Sequence, residues 1–372
     1  MQISAAFDSG NIERLNATDP QNIQVRIRPD VDGRNLQWFY FRLTGARGVS
    51  CRIRITNAGQ ASYARAWKGF QAVCSSDLEH WPRVETAYHN DELILAHTPE
   101  SDVVWFAMFA PYPLSRHQRM LPRWVASGAR LSSLGITPDG HDLDVLTVGR
   151  GPEPIWIVAR QHPAEVMAEW FAEGLLERLL ERPDEQVNAL TARATLYVVP
   201  NMNPDGSARG HLRTNAMGAD LNRSWLEPSL EKSPEVYWVR EEMRRTGVSI
   251  CLDVHGDEAI PYCFISKNIL GVPGLNAIQR ARYDGFLARM EGSCAEFQTA
   301  YGYPQPRAGQ ASIAMCSTWL TEVMTDTLAV TLEQPFKDNA DRADPVYGWT
   351  PARSRRLGAE TLTALLLDLE AR

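Results

Sequence analysis

The chain has 372 residues, 44% hydrophobic and 22% charged, a balance that excludes a disordered or fibrous protein and leaves room for two domains. With 38 Lys plus Arg against 45 Asp plus Glu, the net charge is -7, the wrong sign for a general nucleic-acid binder. No apolar run approaches the roughly 18 residues that span a bilayer, and Met1–Asn11 lacks the basic start and apolar middle of an export signal. The expectation is a cytoplasmic protein with neither nucleic acid nor membrane as partner. Six scattered cysteines without a CxxC pair exclude a disulfide scaffold and a thiolate zinc ribbon, so eight histidines are the main supply of metal ligands and proton carriers.

Up to about Pro113 the pattern is that of strands, predicted at Gln24–Arg28, Leu36–Leu43, Cys51–Thr56, Glu92–His97 and Val103–Ala110. Cys51-Arg52-Ile53-Arg54-Ile55-Thr56 alternates at period two, and Asp30-Val31-Asp32-Gly33 and Asn57-Ala58-Gly59 mark turns. An all-β antiparallel sandwich over residues 1–115 follows. In its aromatic run Trp38-Phe39-Tyr40-Phe41, alternate members are expected to pack inward. The basic stretch Arg116–Arg123 reads as a connection without chemistry.

Residues 116–372 form the second predicted domain. From about Ala126 apolar strands (Leu143–Val148, Ile155–Ala159, Thr195–Val199, Ile250–Val254, Leu328–Leu332) alternate with helical patterns (Ala164–Glu181, Pro234–Arg245, Leu275–Phe297, Ala352–Leu369). Ser233-Pro234 supplies a cap and a first-turn proline, and Gly247 a stop. Strands buried on both faces between helices imply an α/β domain with a largely parallel sheet. Val148-Gly149-Arg150-Gly151 is not a dinucleotide loop, because Pro152 and Pro154 disfavour the helix that must follow.

Four of these strands run directly into polar residues: Arg160-Gln161-His162-Pro163-Ala164-Glu165, Asn201-Met202-Asn203-Pro204-Asp205-Gly206, His255-Gly256-Asp257 and Glu333-Gln334-Pro335. In open α/β sheets the functional crevice lies beyond the carboxyl ends of the strands. His162 and Glu165, at a loop-to-helix junction, suit two zinc ligands, with His255 as the third; two histidines and a glutamate leave the fourth position open. Glu333 is then placed to act as general base. Arg213 and Arg223, in a hydrolase cleft, suggest an anionic end on the substrate.

His162-Pro163-Ala164-Glu165, Asn203-Pro204-Asp205-Gly206, Arg213, Leu221-Asn222-Arg223, Asp253-Val254-His255-Gly256 and Thr331-Leu332-Glu333, in this order, resemble the zinc carboxypeptidases of the carboxypeptidase A family. The leading sandwich, Ala110-Pro111-Tyr112-Pro113 and Asp220-Leu221-Asn222-Arg223 are similar to the cytosolic carboxypeptidase branch. The resemblance implies a carboxypeptidase-like fold, a mixed and largely parallel sheet flanked by helices, beside which the sandwich packs and restricts access. It implies one zinc on His162, Glu165 and His255, with Glu333 as general base and later acid. Arg213 would bind the oxyanion, and Asn222 with Arg223 the terminal carboxylate of a peptide or protein substrate. Ala164 stands where the branch usually has glycine. A substrate-closing tyrosine falls at Tyr301 or Tyr303, and the basic residue of glutamate-trimming members has no counterpart in Ser317–Glu322, leaving Arg307 or Lys267 as substitutes. Two other readings stand beside this one: a zinc amidohydrolase acting on N-acyl amino acids, and a catalytically idle protein-binding module.

Overall fold

A computed structural model describes residues 1–372. The chain opens with nine short strands: β1 (Gln2–Ser4), β2 (Glu13–Asn16), β3 (Ile23–Arg26), β4 (Tyr40–Thr44), β5 (Cys51–Ile55), β6 (Val73–Ser75), β7 (Glu85–His89), β8 (Glu92–His97) and β9 (Val103–Ala107). They form a four-stranded sheet, β1-β4-β9-β6, and a five-stranded sheet, β2-β3-β5-β8-β7. One pairing departs from the antiparallel expectation, since β3 and β5 run parallel. The intervening β4 belongs to the other sheet, so the chain crosses over and returns in the same direction instead of turning back in a hairpin. Along β5, Cys51, Ile53 and Ile55 point into the core while Arg54 on the opposite face binds Glu92 with two 2.7 Å hydrogen bonds.

All four members of the aromatic run are buried, not alternate ones. Phe39 meets Trp67 and Phe70, and Phe41 stacks on Phe106. The opposite side is covered by the chain itself, Tyr40 lying against Phe7 and Trp81, and Trp38 Nε1 donating to Ser9 O at 2.9 Å. The basic stretch also departs from expectation: it lies in a helix, α1 (Leu114–Ala126), burying His117, Met120, Leu121 and Trp124. Their spacing is helical, but three arginines interleaved with them dilute the apolar signal.

The remaining elements are β10 (Arg130–Ile136), β11 (Asp142–Gly149), β12 (Glu153–Ala159), α2 (Met167–Leu180), α3 (Glu185–Arg193), β13 (Ala194–Val199), α4 (Pro204–Arg209), α5 (Pro234–Thr246), β14 (Ile250–Asp257), β15 (Phe264–Ile265), α6 (Ala277–Ser293), α7 (Cys316–Val323), β16 (Leu328–Pro335) and α8 (Pro351–Glu370). They build a seven-stranded sheet, β10-β11-β13-β12-β14-β16-β15. The central strands β13, β12, β14 and β16 are parallel, and β10, β11 and β15 add antiparallel edges. All eight residues of β14 and of β16 are buried, which explains the mostly apolar first halves of both strands. Glycines permit close packing of α2 on α8: a Cβ on Gly174 would meet the Arg355 backbone, and one on Gly358 the Phe171 carbonyl. Ser233 does not cap α5 with its side chain as expected; its hydroxyl accepts from Ser229 N at 3.2 Å.

Candidate active site

β12 ends at Ala159, and Arg160 then takes a left-handed turn (φ 59°) that breaks the strand. The turn is held by its own buried guanidinium, which donates to Pro163 O (2.8 Å), Tyr112 O (2.7 Å) and Glu169 (2.6 Å). His162 to Glu165 form a turn, and α2 begins only at Met167, later than expected. His255 and Glu333 also differ in setting. Both lie inside longer strands than predicted and face each other in register across β14 and β16.

Three candidate ligands converge: one donor atom each from His162, Glu165 and His255 lie within 4.8 Å of one another, all buried. Glu165 bridges the two imidazoles, its oxygens 2.6 Å from His162 Nδ1 and 2.6 Å from His255 Nδ1. Burial alone would raise the Glu165 pKa; the two histidines outweigh it and hold the carboxyl far below its usual range. Each imidazole is braced from behind, His162 Nε2 by Asp220 (3.1 Å) and His255 Nε2 by Asp253 (3.0 Å). With both Nε2 atoms committed to carboxylates, both Nδ1 atoms are left for a metal, and two imidazole nitrogens plus a carboxylate oxygen fit zinc.

Glu333 is buried with Oε2 lacking any partner. Burial pushes its carboxyl up to about 8, His255 opposes the shift, and Glu165, Asp257 and Asp253 reinforce it. Arg213 donates from Nε to Asp220 (2.7 Å) and from Nη1 to the Tyr63 hydroxyl (2.8 Å). Asn222 is buried, its Oδ1 accepting from Cys316 N at 3.0 Å. Arg223 is exposed, donates to Asn222 O (2.8 Å) and forms no ion pair.

All seven residues line one cleft of about 280 Å³, together with Tyr63, Asp257, Glu258, Asn268, Tyr303, Met315 and Thr331. Of the two tyrosines considered, Tyr303 enters the cleft, its hydroxyl 2.6 Å from Asp257, while Tyr301 is 56% exposed and stacked on Tyr262. Neither Arg307 nor Lys267 lines it. The strand end after β13 serves a different purpose from that expected: Asn203 caps α4 and donates to Gln161 O (3.0 Å), and Asn201 donates to Glu169 (3.1 Å). Those side chains brace the loop carrying His162 without reaching the cleft.

Sequence reasoning passed over Asp220 and Asp253 as functional groups, although each stands two residues from a singled-out residue, Asn222 and His255. Tyr63 carried no signal at all.

Comparison with known proteins identifies the family. The family model of the cytosolic carboxypeptidase N-terminal domain matches residues 3–109, and that of zinc carboxypeptidase matches residues 125–259. An uncharacterized protein of Zymomonas mobilis is 43% identical over 366 residues, covering 98% of this chain and 96% of its own. The structure of a putative carboxypeptidase A from Shewanella denitrificans is 43% identical, with a TM-score of 0.97 over 100% of this chain and 99% of that one. A metallo-carboxypeptidase from Pseudomonas aeruginosa, solved with (2-guanidinoethylmercapto)succinic acid, is 44% identical, with a TM-score of 0.96 over 100% of this chain and 99% of that one. Fold and site together define a metal-dependent peptidase. The chain belongs to the zinc carboxypeptidases, in the branch with a cytosolic carboxypeptidase N-terminal domain. Membership sets aside the reading as an idle binding module. No helix is long and apolar enough to cross a membrane.

Proposed function

We propose that this chain hydrolyses the last peptide bond of a peptide or protein, releasing one C-terminal residue. The observation that supports it most is the convergence of His162, Glu165 and His255 at one point, with Glu333, Arg213, Asn222 and Arg223 around the same cleft. One zinc per chain, held by those three ligands, would polarise the scissile carbonyl and acidify a water. Glu333, across the ladder from His255 with a carboxylate oxygen left unpartnered, accepts the proton of that water and returns it to the leaving amine. Arg213 donates to the oxygen on which negative charge develops. Asn222 and the unpaired guanidinium of Arg223 receive the terminal carboxylate, Arg223 in a two-point fork. The catalytic unit is residues 116–372, with residues 1–115 as a sandwich beside the cleft. Six free cysteines accord with a cytoplasmic setting.

Besides Arg213 and Arg223, no Lys or Arg lines the cleft, so its charge pattern does not single out glutamate as the residue removed. The test is to incubate the zinc-loaded protein with free-acid and amidated forms of one peptide set varied at the last residue. Mass spectrometry should show loss of a single residue, from free acids far faster than from amides, abolished by a chelator. Cleavage of N-acyl amino acids with no action on peptides would replace this reading with the amidohydrolase one.

A further inference from the structure

The loop that carries Arg213 is fastened to the sandwich, not only to its own domain. Asp30, 2% exposed in a sandwich turn, accepts from the backbone N–H of Leu212 (2.6 Å), Arg213 (2.9 Å) and Thr214 (2.9 Å), and from the Thr214 hydroxyl (3.0 Å). Just upstream, Ser9 N donates to Ala208 O (2.9 Å) and Asn11 Nδ2 to Gly210 O (2.8 Å). Gly210 adopts φ 69° there, and a Cβ would lie 2.8 Å from Ser9 O, so the backbones touch.

Tyr63 is the sandwich's one side chain lining the cleft, and its hydroxyl accepts from Arg213 Nη1. A guanidinium is planar, so two anchors on different nitrogens fix its orientation. Nε is anchored by Asp220 and Nη1 by Tyr63, leaving Nη2 without a protein partner. A donor aimed before the reaction stabilises developing charge without having to reorganise.

We propose that Asp30 and Tyr63 are positioning residues for Arg213: the sandwich sets where that guanidinium points, so oxyanion stabilisation depends on a domain that contains no metal ligand. This rests on the oxyanion role given to Arg213 above. Asp30 fixes the backbone from which the side chain starts, and Tyr63 fixes the plane in which it ends.

The test compares zinc-loaded full-length wild type with Tyr63→Phe, Asp30→Asn, Arg213→Ala and the double variant Tyr63→Phe/Arg213→Ala. Steady-state kinetics on a free-acid peptide is paired with calorimetric binding of two probes, a peptide phosphonate mimicking the tetrahedral intermediate and the product peptide. Tyr63→Phe should lower kcat about tenfold with KM within about twofold, and weaken phosphonate binding by a similar factor while leaving product binding unchanged. In the Arg213→Ala background it should have no further effect. Wild-type kcat in Tyr63→Phe, the same loss without Arg213, or equal weakening of both probes would each overturn the proposal. Asp30→Asn turns an amide toward backbone donors and should lower kcat likewise; a folded variant with full kcat would remove Asp30 from it. Where that variant fails to fold, Tyr63→Phe carries the test. Full activity in Arg213→Ala would instead strike the oxyanion assignment itself.

Discussion

Glu235→Gln tests the electrostatics beneath the active-site loop. Glu235, in the first turn of α5 and 1% exposed, faces Asn215, whose Nδ2 lies 3.3 and 3.1 Å from its two oxygens. Asn215 in turn shapes the turn between Arg213 and Asp220, its Oδ1 accepting from Met217 N (3.0 Å) and Ala219 N (2.9 Å). Burial pushes the Glu235 carboxyl up to about 7; its own backbone N–H and Asn215 offset part of the shift, and Asp205 adds to it. A group that binds its proton more tightly in the folded state loses its favourable contribution as pH rises from the unfolded pKa, near 4.5, through about 7. Above pH 8 ionisation therefore costs the folded chain about 3 kcal/mol, and at pH 4.5 well under about 1 kcal/mol. Glutamine never ionises and keeps an oxygen for Asn215. At roughly 2.1 cal/mol/K per residue of unfolding entropy, Glu235→Gln should raise the thermal midpoint by about 4 °C at pH 8 and by less than about 1 °C at pH 4.5. Calorimetric scans of variant and wild type at the same pH provide the comparison, metal loss at acid pH being common to both. An unchanged midpoint at pH 8, or an equal rise at both pH values, would refute the reasoning.

Glu333→Gln should lower kcat by about 10² to 10⁴ with zinc content unchanged, measured by atomic emission beside peptide turnover. Loss of zinc would make Glu333 part of the metal site, and kcat within about tenfold of wild type would end its role as base. Arg223→Ala should raise KM for free-acid peptides by at least about tenfold, the scale of a charge-assisted pair, while leaving any slow cleavage of amidated peptides untouched. Equal loss on both substrates would show that Arg223 supports structure and not carboxylate recognition.

The parallel strands of the sheet were legible because burial on both faces leaves an unmistakable apolar run, as in Ile250–Val254 and Leu328–Leu332. Their ends were not. His255-Gly256-Asp257 and Glu333-Gln334-Pro335 read as loop because they are polar, yet the ladder continues through them to Asp257 and Pro335. Main-chain pairing is indifferent to side-chain polarity where the side chains serve a cleft. The short strands β1, β2, β6 and β7 and the edge strand β10 escaped for the opposite reason: they take their stability from neighbours and carry little pattern of their own.

At the site, legibility followed distance along the chain. His162 and Glu165 are three residues apart, and Asn222 and Arg223 are adjacent, so chemistry and spacing could be read together. Asp30 and Tyr63 lie 183 and 150 residues from Arg213, in a domain whose aromatic and turn residues all have ordinary structural uses. Asp30 was visible only as a turn residue, because the three backbone amides it holds belong to a loop that nothing local announces. A buried carboxylate whose partners are three main-chain N–H groups and one hydroxyl leaves no complementary charge elsewhere in the sequence to betray it. Its contacts nevertheless lie beside the cleft: the amides of Leu212, Arg213 and Thr214 have Asp30 as their acceptor, and losing it would leave buried donors unsatisfied at the base of an arginine that lines the cleft. The sandwich is on this view the outer wall of the site, not an appendage to it.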